Sequence, residues 1–223
     1  MSKIVSPSFS VQKDSNQQRS ADTLIILDFE TTGLSPNMGD RAIEIGAVKL
    51  EKGQVVDSFQ RLMDPGFRIN SFIENYTGIS NAMLAGEADC ETVMTEFADF
   101  VGDANLIAHN ASFDKKFLDA EFERVGFQYS GGFSCSLLLS RRINQDAPSH
   151  KLGDLIRYKQ IPSEGQFHRA LFDAEMTAKL WCLMIDDIKQ QYNLAEVPFA
   201  LVQKICKTPK AKVAEVIGKW RGE

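Results

Sequence analysis

The sequence lacks a long hydrophobic run. Its apolar stretches are a handful of residues each, whereas a helix that spans a bilayer needs roughly 20. The polar residues 1–21, rich in Ser and Gln, also lack the continuous apolar segment of a signal peptide. We therefore predict a mobile leader at 1–21 and no membrane partner.

Paired cysteines are missing as well. Cys90, Cys135, Cys182 and Cys206 form no C-x-x-C pair and lack the spacing of a metal site. The sequence thus indicates neither a disulfide scaffold nor a zinc site. Reduced thiols in a cytoplasmic protein are the expectation.

Positive charge is in deficit, since 25 Lys and Arg stand against 30 Asp and Glu, for a net charge of −5. This balance argues against a protein that coats nucleic acid by bulk electrostatics. It is compatible with an enzyme that grips a strand end locally, because carboxylates gathered around a metal lower the net charge. The 223 residues and the 43% hydrophobic content suit one globular domain with tails.

Apolar periodicity predicts an α/β domain over residues 22–192, with a mixed sheet flanked by helices. The predicted elements, in chain order, are a buried strand at 23–29, a hairpin at 42–50 and 54–63, a helix at 90–102, a short strand in "NLIAHN", a helix ended by Gly126, a strand that enters a helix in "FSCSLLLSRRI", a short helix in "SHKLGDLIRYKQI" and a long amphipathic helix at 170–191. Residues 193–223 carry two short apolar helical patterns and are predicted to form a helical tail.

Two acids follow the first strand in "ILDFETTGLSPN". Residues two apart in a strand share a face, so Asp28 and Glu30 point together while Phe29 points into the core. Two adjacent carboxylates repel unless Lys, Arg or a hard divalent cation lies between them. Oxygen ligands suit Mg²⁺ or Mn²⁺ and do not suit Zn²⁺. A solvated strand end is the alternative for this motif alone.

Further polar residues follow in two segments. Asp114, in "AHNASFDKKF", is predicted in the first turn of a helix that follows a second buried strand, where a simple helix-start aspartate is the alternative. In "HRALFDAEMTA", His168 and Asp173 are five apart and cannot face one point from a regular helix. If they cooperate, His168 lies on the preceding loop, where it is placed as a general base; a solvated histidine is the alternative.

Together, four acids and one histidine indicate two-metal phosphoryl chemistry. In that chemistry one cation activates the attacking water and the other stabilises the leaving oxygen.

Three motifs carry a family resemblance: "DFETTGL" at 28–34, "HNASFD" at 109–114 and "HRALFDA" at 168–174. With "YTGIS" and "SHKLGDL" between them, residues 22–190 resemble the DnaQ-like, DEDDh-type 3′–5′ exonucleases. That family includes the proofreading epsilon subunit of bacterial DNA polymerase III and ribonuclease T.

The resemblance implies the roles of the polar residues. It makes Asp28, Glu30, Asp114 and Asp173 the metal-site acids and His168 the general base. It further implies an RNase H-like fold with five strands and flanking helices, and two Mg²⁺ or Mn²⁺ ions. The implied reaction removes the last nucleotide from a 3′ end as a nucleoside 5′-monophosphate.

The resemblance also implies contacts with the terminal nucleotide. Backbone at Thr31, Thr32 and Gly33 would meet it, and Leu34 would wedge against its base. A plain turn that uses Gly33 at positive φ does not compete with that role. Asn110 is predicted either to bind the strand backbone or to cap the following helix.

Other candidates have an ordinary structural alternative. Phe72 and Tyr76 are expected in the core, with stacking on a base as the alternative. His109 is expected to be structural. Three exposed basic residues are candidates for phosphate contacts, with simple solvation as the alternative: Arg141, Arg142 and Lys151.

The preferred function is a metal-dependent 3′–5′ exonuclease on single-stranded or frayed DNA, with DNA favoured over RNA. A 3′–5′ exoribonuclease is the runner-up, because the sequence shows no contact to the 2′ position that separates the sugars. An accessory nuclease subunit of a DNA-processing complex, with a protein partner at residues 193–223, is a further alternative. A non-catalytic binding module is disfavoured by the intact set of five residues.

Overall fold

The computed structural model describes residues 18–163 and 168–220. Residues 1–17 of the predicted leader lie outside the described residues. So does Gly165, which the sequence places in the loop before the last long helix.

Five strands form one mixed sheet in the described part of the chain, in the order β3-β2-β1-β4-β5. The strands are β1 (Leu24–Thr31), β2 (Ala42–Glu51), β3 (Gln54–Leu62), β4 (Leu106–Ala108) and β5 (Phe133–Cys135). The pairs β1–β2 and β2–β3 are antiparallel, whereas β1–β4 and β4–β5 are parallel. The predicted mixed α/β architecture is confirmed, and the buried strand predicted at 23–29 is the central strand β1.

Helices flank both faces of this sheet. They are α1 (Ser71–Thr77), α2 (Asn81–Leu84), α3 (Cys90–Val101), α4 (Ser112–Arg124), α5 (Ser136–Ile143), α6 (Leu152–Tyr158), α7 (Ala170–Tyr192), α8 (Phe199–Lys207) and α9 (Val213–Gly218). The predicted helices are found with ends within two residues. The short helices α1 and α2 were not predicted, although each begins at a side-chain N-cap, Asn70 and Ser80 respectively. Among residues 18–163 and 168–220, no helix combines the length and apolar content needed to cross a membrane.

The alternation along β1 divides the core between the two faces. Ile25, Leu27 and Phe29 pack with α3 and α4, while Leu24 and Ile26 pack with α7. Asp28 and Glu30 therefore lie on the α7 face, opposite Phe29 as predicted. A smaller cluster of isoleucine and leucine side chains packs beneath α1 and α2.

The tail helices belong to the α7 side of the core. Five apolar residues of the tail are buried: Val197, Phe199, Leu201, Val202 and Ile205. They share a cluster with Trp181 of α7, so the tail packs against the rest of the domain. Deleting the tail would expose this core, and its surface role is better tested by single substitutions.

A hydrogen-bonded seam joins residues 19–21 to residues 197–199. Ala21 N donates to Val197 O at 2.8 Å, and Phe199 N donates to Arg19 O at 2.9 Å. The buried indole Nε1 of Trp181 donates to Ala21 O at 2.6 Å. Residues 19–21, 197–199 and the middle of α7 are thereby held together.

Candidate active site

The parallel pairing of β1 and β4 brings the predicted motifs to one edge of the sheet. Ile25 pairs with Leu106 and Ile26 with Ile107, so both strands end at the same edge. Asp28 and Glu30 lie at this end of β1. Asp114 lies in the first turn of α4, which follows β4.

The acidic side chains meet there. Carboxylate oxygens of Asp28, Glu30 and Asp173 lie within 4.8 Å of one another. Asp114 is 2% exposed, and its Oδ1 accepts a hydrogen bond of 3.2 Å from Phe29 N, which places it beside the β1 backbone between Asp28 and Glu30. Because the donors are all carboxylates, the cluster fits a hard divalent cation such as Mg²⁺ or Mn²⁺.

Burial and mutual repulsion raise the pKa values of these acids. Burial, and then the charge of Asp114, raises the pKa of Asp28 well above its usual range. Burial, and then the charge of Asp173, raises the pKa of Glu30 to about 8. Burial raises the pKa of Asp114 to about 7 and also raises that of Asp173. These raised pKa values reflect a burial penalty and a repulsion that a bound cation would relieve.

We expect the metal-free protein to lose stability as the pH rises from 6.5 to 8. The pKa of Glu30 is about 8 in the fold against an ordinary 4.5, so the unfolded chain releases this proton first and stability falls by up to about 1.4 kcal/mol per pH unit. His109 acts in the opposite sense, but only below its ordinary pKa of 6.5. Thermal unfolding in chelator at several pH values measures the decline.

Divalent cations should abolish this decline, because they replace the protons, and Glu30→Gln should reduce it. A stability that stays level with pH in chelator would contradict the raised carboxyl pKa values.

His168 lies just before α7, as its spacing from Asp173 predicts. Its backbone is left-handed, with φ of 70°, and α7 begins at Ala170. Asp173 Oδ2 accepts hydrogen bonds from His168 N at 2.8 Å and from Arg169 N at 3.2 Å. One carboxylate thus belongs to the acid cluster and also fixes the backbone that carries the histidine.

Two exposed aromatic side chains extend from His168 across the site. The His168 ring lies 4.7 Å from the Tyr76 ring, and Tyr76 stacks on Phe72 at 6.0 Å. Phe72 is 70% exposed and Tyr76 56% exposed, so their expected place in the core was wrong. The reason is that α1 buries its other face, which carries Ile73 and Thr77.

A buried carboxylate that was not predicted holds the start of α7. Glu44 on β2 is 0% exposed and accepts hydrogen bonds from Arg169 Nη2 at 2.8 Å and from Gln60 Nε2 at 2.9 Å. Ala170 N donates to it at 3.1 Å. The available signal was an acid inside the apolar run "AIEIGAV". Glu44 thereby ties β2 to the segment that presents His168 and Asp173.

Gly46, two residues further along the same face of β2, lies against the α7 backbone. A Cβ at this position would lie 2.0 Å from Leu171 N and 2.2 Å from Ala170 C. We expect Gly46→Ala to lower the free energy of unfolding by about 1–3 kcal/mol or more and to reduce activity. The new methyl group would meet the backbone of α7, which cannot move aside as a side chain can. Chemical denaturation and an activity assay measure both effects.

Gly218→Ala is the matched control, since a Cβ there meets nothing within 4 Å. Equal stability of the two variants would show that α7 shifts freely from β2.

The turn after β1 is held by side-chain hydrogen bonds. Thr31 Oγ1 donates to Gly33 O at 2.7 Å, and Thr32 Oγ1 accepts from Arg41 N at 3.0 Å. Gly33 is not at positive φ, which corrects that interpretation. Glycine is favoured because a Cβ would lie 2.5 Å from the Asp40 carboxylate, which would have to move. Beyond this turn the Leu34 side chain is 78% exposed.

Asn110 and His109 precede α4. Ala111 occupies the N-cap position and makes no side-chain cap, so the prediction that Asn110 caps the helix was wrong. Asn110 is exposed, with φ of 64°. His109 Nδ1 lies 2.8 Å from Ser136 Oγ, Nε2 lies 3.0 Å from His150 O, and burial lowers its pKa to about 4. A neutral His109 with a hydrogen-bond partner at each ring nitrogen fits the structural role that was expected.

One cavity of about 680 Å³ is lined by every residue predicted for catalysis or for contact with the terminal nucleotide. Those residues are Asp28, Glu30, Thr31, Thr32, Gly33, Leu34, Asn110, Asp114, His168 and Asp173. Phe72 and Tyr76 also line it, whereas the three basic phosphate candidates do not. Arg142 instead donates from Nε to Thr208 O at 2.5 Å, which is a structural contact.

Comparison with known proteins agrees with this geometry. A family model described as an exonuclease matches residues 25–181. DNA polymerase III PolC-type from Staphylococcus aureus is 41% identical over 169 residues, or 75% of this chain. The chain spans 12% of the length of that relative.

Solved structures show the same fold at low identity. A structure of Exonuclease X with 5′ overhanging duplex DNA gives a TM-score of 0.62 at 24% identity, covering 80% of this chain and 98% of that one. A 3′-exonuclease that recognises the 3′ end of a histone mRNA stem-loop gives 0.63 at 20% identity, with 80% and 68% coverage. The RNase H-like fold implied by the motifs is confirmed.

Proposed function

The chain belongs to the exonuclease family that matches its residues 25–181 and is a 3′–5′ exonuclease of the DEDDh type; on that premise we propose that it hydrolyses the terminal phosphodiester of single-stranded or frayed DNA. The products are nucleoside 5′-monophosphates. The observation that carries the proposal is the convergence of four acids and His168 in one cavity of about 680 Å³.

We assign the acids to metal binding. Asp28, Glu30 and Asp173 group their oxygens within 4.8 Å, and Asp114 adds a buried carboxylate beside them. The oxygen-only donor set and the raised pKa values fit two Mg²⁺ or Mn²⁺ ions. When bound, such ions lower the pKa of water and stabilise charge on the phosphoryl group.

His168 is the proposed general base. Its loop position presents the imidazole at the mouth of the acid cluster, while its backbone N–H is held by Asp173 at 2.8 Å. The Tyr76 ring, 4.7 Å away, limits where the imidazole can turn. These contacts position a group that takes a proton from the attacking water.

The proposed seat of the terminal nucleotide lies between the "TTGL" turn and α1. Backbone at Thr31, Thr32 and Gly33 faces the cavity from one side, and the exposed Leu34 is placed to wedge against a base. The stacked pair Phe72 and Tyr76 faces it from the other side. Asn110 also lines the cavity, where it is placed to contact the backbone of the nucleic-acid strand.

We expect Phe72→Ala to raise KM for an oligonucleotide by about 5-fold or more with little change in kcat, since one aromatic stack on a base contributes about 1–3 kcal/mol. Tyr76→Ala should also lower kcat, because Tyr76 contacts His168. Steady-state kinetics on single-stranded DNA measure the difference. Phe67→Ala is the control, as Phe67 is 49% exposed and lies outside the cavity. A KM that is unchanged in both cavity variants would remove the stacking role.

DNA is the proposed substrate because the relative at 41% identity is named as a DNA polymerase. An exoribonuclease is the second candidate, supported by the structural neighbour that recognises a histone mRNA. The deciding experiment digests matched 5′-labelled DNA and RNA strands with Mg²⁺, with Mn²⁺ or with chelator. We expect a metal-dependent ladder that shortens from the 3′ end, faster on DNA. A faster RNA ladder would select the second candidate, and no cleavage of either strand would contradict the function.

We further propose a cytoplasmic setting and proofreading beside a polymerase, on the strength of the polymerase relative. The division into residues 22–192 and a tail at 193–223, and a protein partner bound by that tail, stay predictions. The apolar face of the tail is buried, so only its exposed polar face is available to a partner.

A further inference from the structure

A group of exposed cations lies on α5, before α6 and after α8. The group consists of Arg141, Lys151, Lys207, Lys210 and Lys212. Within residues 18–163 and 168–220, none of these five side chains makes an ion pair or a hydrogen bond. We call this group the basic face. An unpaired cluster of this size is notable in a chain whose net charge is −5.

Hydrogen bonds bring the segments of the basic face together. Arg142 Nε donates to Thr208 O at 2.5 Å, and Gln145 Nε2 donates to Lys210 O at 3.2 Å. Between them lies His150, whose pKa is lowered by burial and then by the charges of Lys210 and Arg141. The charges of Arg141 and Lys210 therefore lie close enough together to act on the same imidazole.

Nearby acids neutralise the basic face only in part. Asp154 pairs with Arg157 and also interacts with the charge of Lys151. Asp146 keeps its charge, because its partner at 2.8 Å is the Tyr158 hydroxyl. Glu215 of α9 pairs with Lys219 at 2.6 Å. Among residues 18–163 and 168–220, no carboxylate lies within ion-pair distance of a cation of the basic face.

The basic face adjoins the active-site cavity on the side of α4. His109 lines that cavity and contacts His150 O at 3.0 Å, and Lys151 is the next residue in the chain. A second cavity of about 250 Å³ is lined by Lys207 together with Ala111 and Ser112, which directly follow Asn110. The cations thus begin where the predicted nucleotide contacts end.

We propose that the basic face binds the phosphates of the nucleic-acid strand upstream of the scissile bond, an inference that rests on the proposed function. A strand whose 3′ end sits among the acids must leave the cavity, and its phosphates repel the acidic remainder of the surface. Charge complementarity makes the unpaired cations the favourable exit. Several contacts of this kind hold a strand without reading its sequence.

The test compares substrates with and without upstream phosphates. The triple variant Arg141→Ala, Lys207→Ala and Lys210→Ala is assayed on a long single-stranded oligonucleotide and on a dinucleotide, whose only phosphate is the scissile one. We expect KM on the long strand to rise about 10-fold and the slope of log KM against log salt to fall by about 2. Turnover of the dinucleotide and kcat on the long strand should be unchanged.

The control variant removes the same charge elsewhere, on β2, on the following turn and on α7: Lys49→Ala, Lys52→Asn and Lys179→Ala. Asparagine is chosen at position 52 because its φ is 52°. The control should match the wild type on both substrates. If both variants raise KM alike, net charge alone acts and the proposal is overturned. An unchanged KM and salt slope in the triple variant also overturns it.

Two further readouts separate the alternatives. Binding of a labelled long oligonucleotide in chelator measures the contribution of the basic face without turnover. If the wild type binds the strand but does not cleave it when metal is added, and the triple variant does not bind, the proposed function is refuted and the role of the basic face is supported. Unchanged DNA binding and kinetics, with retention on polyglutamate lost in the triple variant, would assign the face to an acidic protein and overturn the proposal.

Discussion

Asp28→Asn is expected to abolish hydrolysis while the fold survives. Asp28 shares an acid cluster with Glu30 and Asp173, and the amide keeps the shape of the side chain while removing its charge. Losing several kcal/mol of metal-dependent stabilisation of the transition state corresponds to about 10³-fold or more in kcat/KM. Asp114→Ala should have the same effect on activity. Single-turnover cleavage of a 5′-labelled strand measures the loss.

The same change should stabilise the metal-free protein. Burial and the neighbouring carboxylates raise the pKa of Asp28, so its ionised form is unfavourable in the fold and the neutral amide removes that penalty. A higher Tm for Asp28→Asn in chelator, together with lost activity, is the expected pair of results. Asp99→Asn, an exposed acid on α3, is the control and should change neither. Full turnover by Asp28→Asn would refute the site assignment.

His168→Asn is expected to lower kcat by about 10²–10⁴-fold, the usual contribution of a general base. Asparagine is the appropriate replacement because His168 has φ of 70°, which asparagine tolerates, so the variant removes the imidazole without adding backbone strain. The hydrogen bond from the backbone N–H of residue 168 to Asp173 is kept. KM should change little.

A His168→Asn variant with wild-type kcat would show that water activation needs no contribution from this residue.

Local sequence signals predicted most of the fold and the centre of the site. Asp28 and Glu30 stand at the end of an apolar strand, and Asp114 begins the helix after another, where composition and periodicity are both informative. His168 and Asp173 were placed correctly because five helical steps exclude a common direction from one helix. These predictions used residues close together in the chain.

The features that were missed depend on distant partners. Glu44 is satisfied by Arg169, 125 positions later, so the acid inside the apolar run "AIEIGAV" is visible in the sequence but its partner is not. Phe72 and Tyr76 are aromatic residues of the kind usually found in a core, and only the orientation of α1 exposes them. Gly33 is explained by the approach of Asp40, a contact that a turn rule at positive φ does not describe. In each case tertiary packing decided what local preference left open.

The seam between residues 19–21 and 197–199 has a consequence for biosynthesis. The buried Ala21 obtains its backbone and indole partners from Val197 and Trp181, so the start of the fold is completed only by residues made close to its end. Contacts this distant in sequence form late, because a large loop must close before they can be made. We expect β1 to remain partly exposed to solvent until the ribosome has synthesised α7 and the residues that follow it.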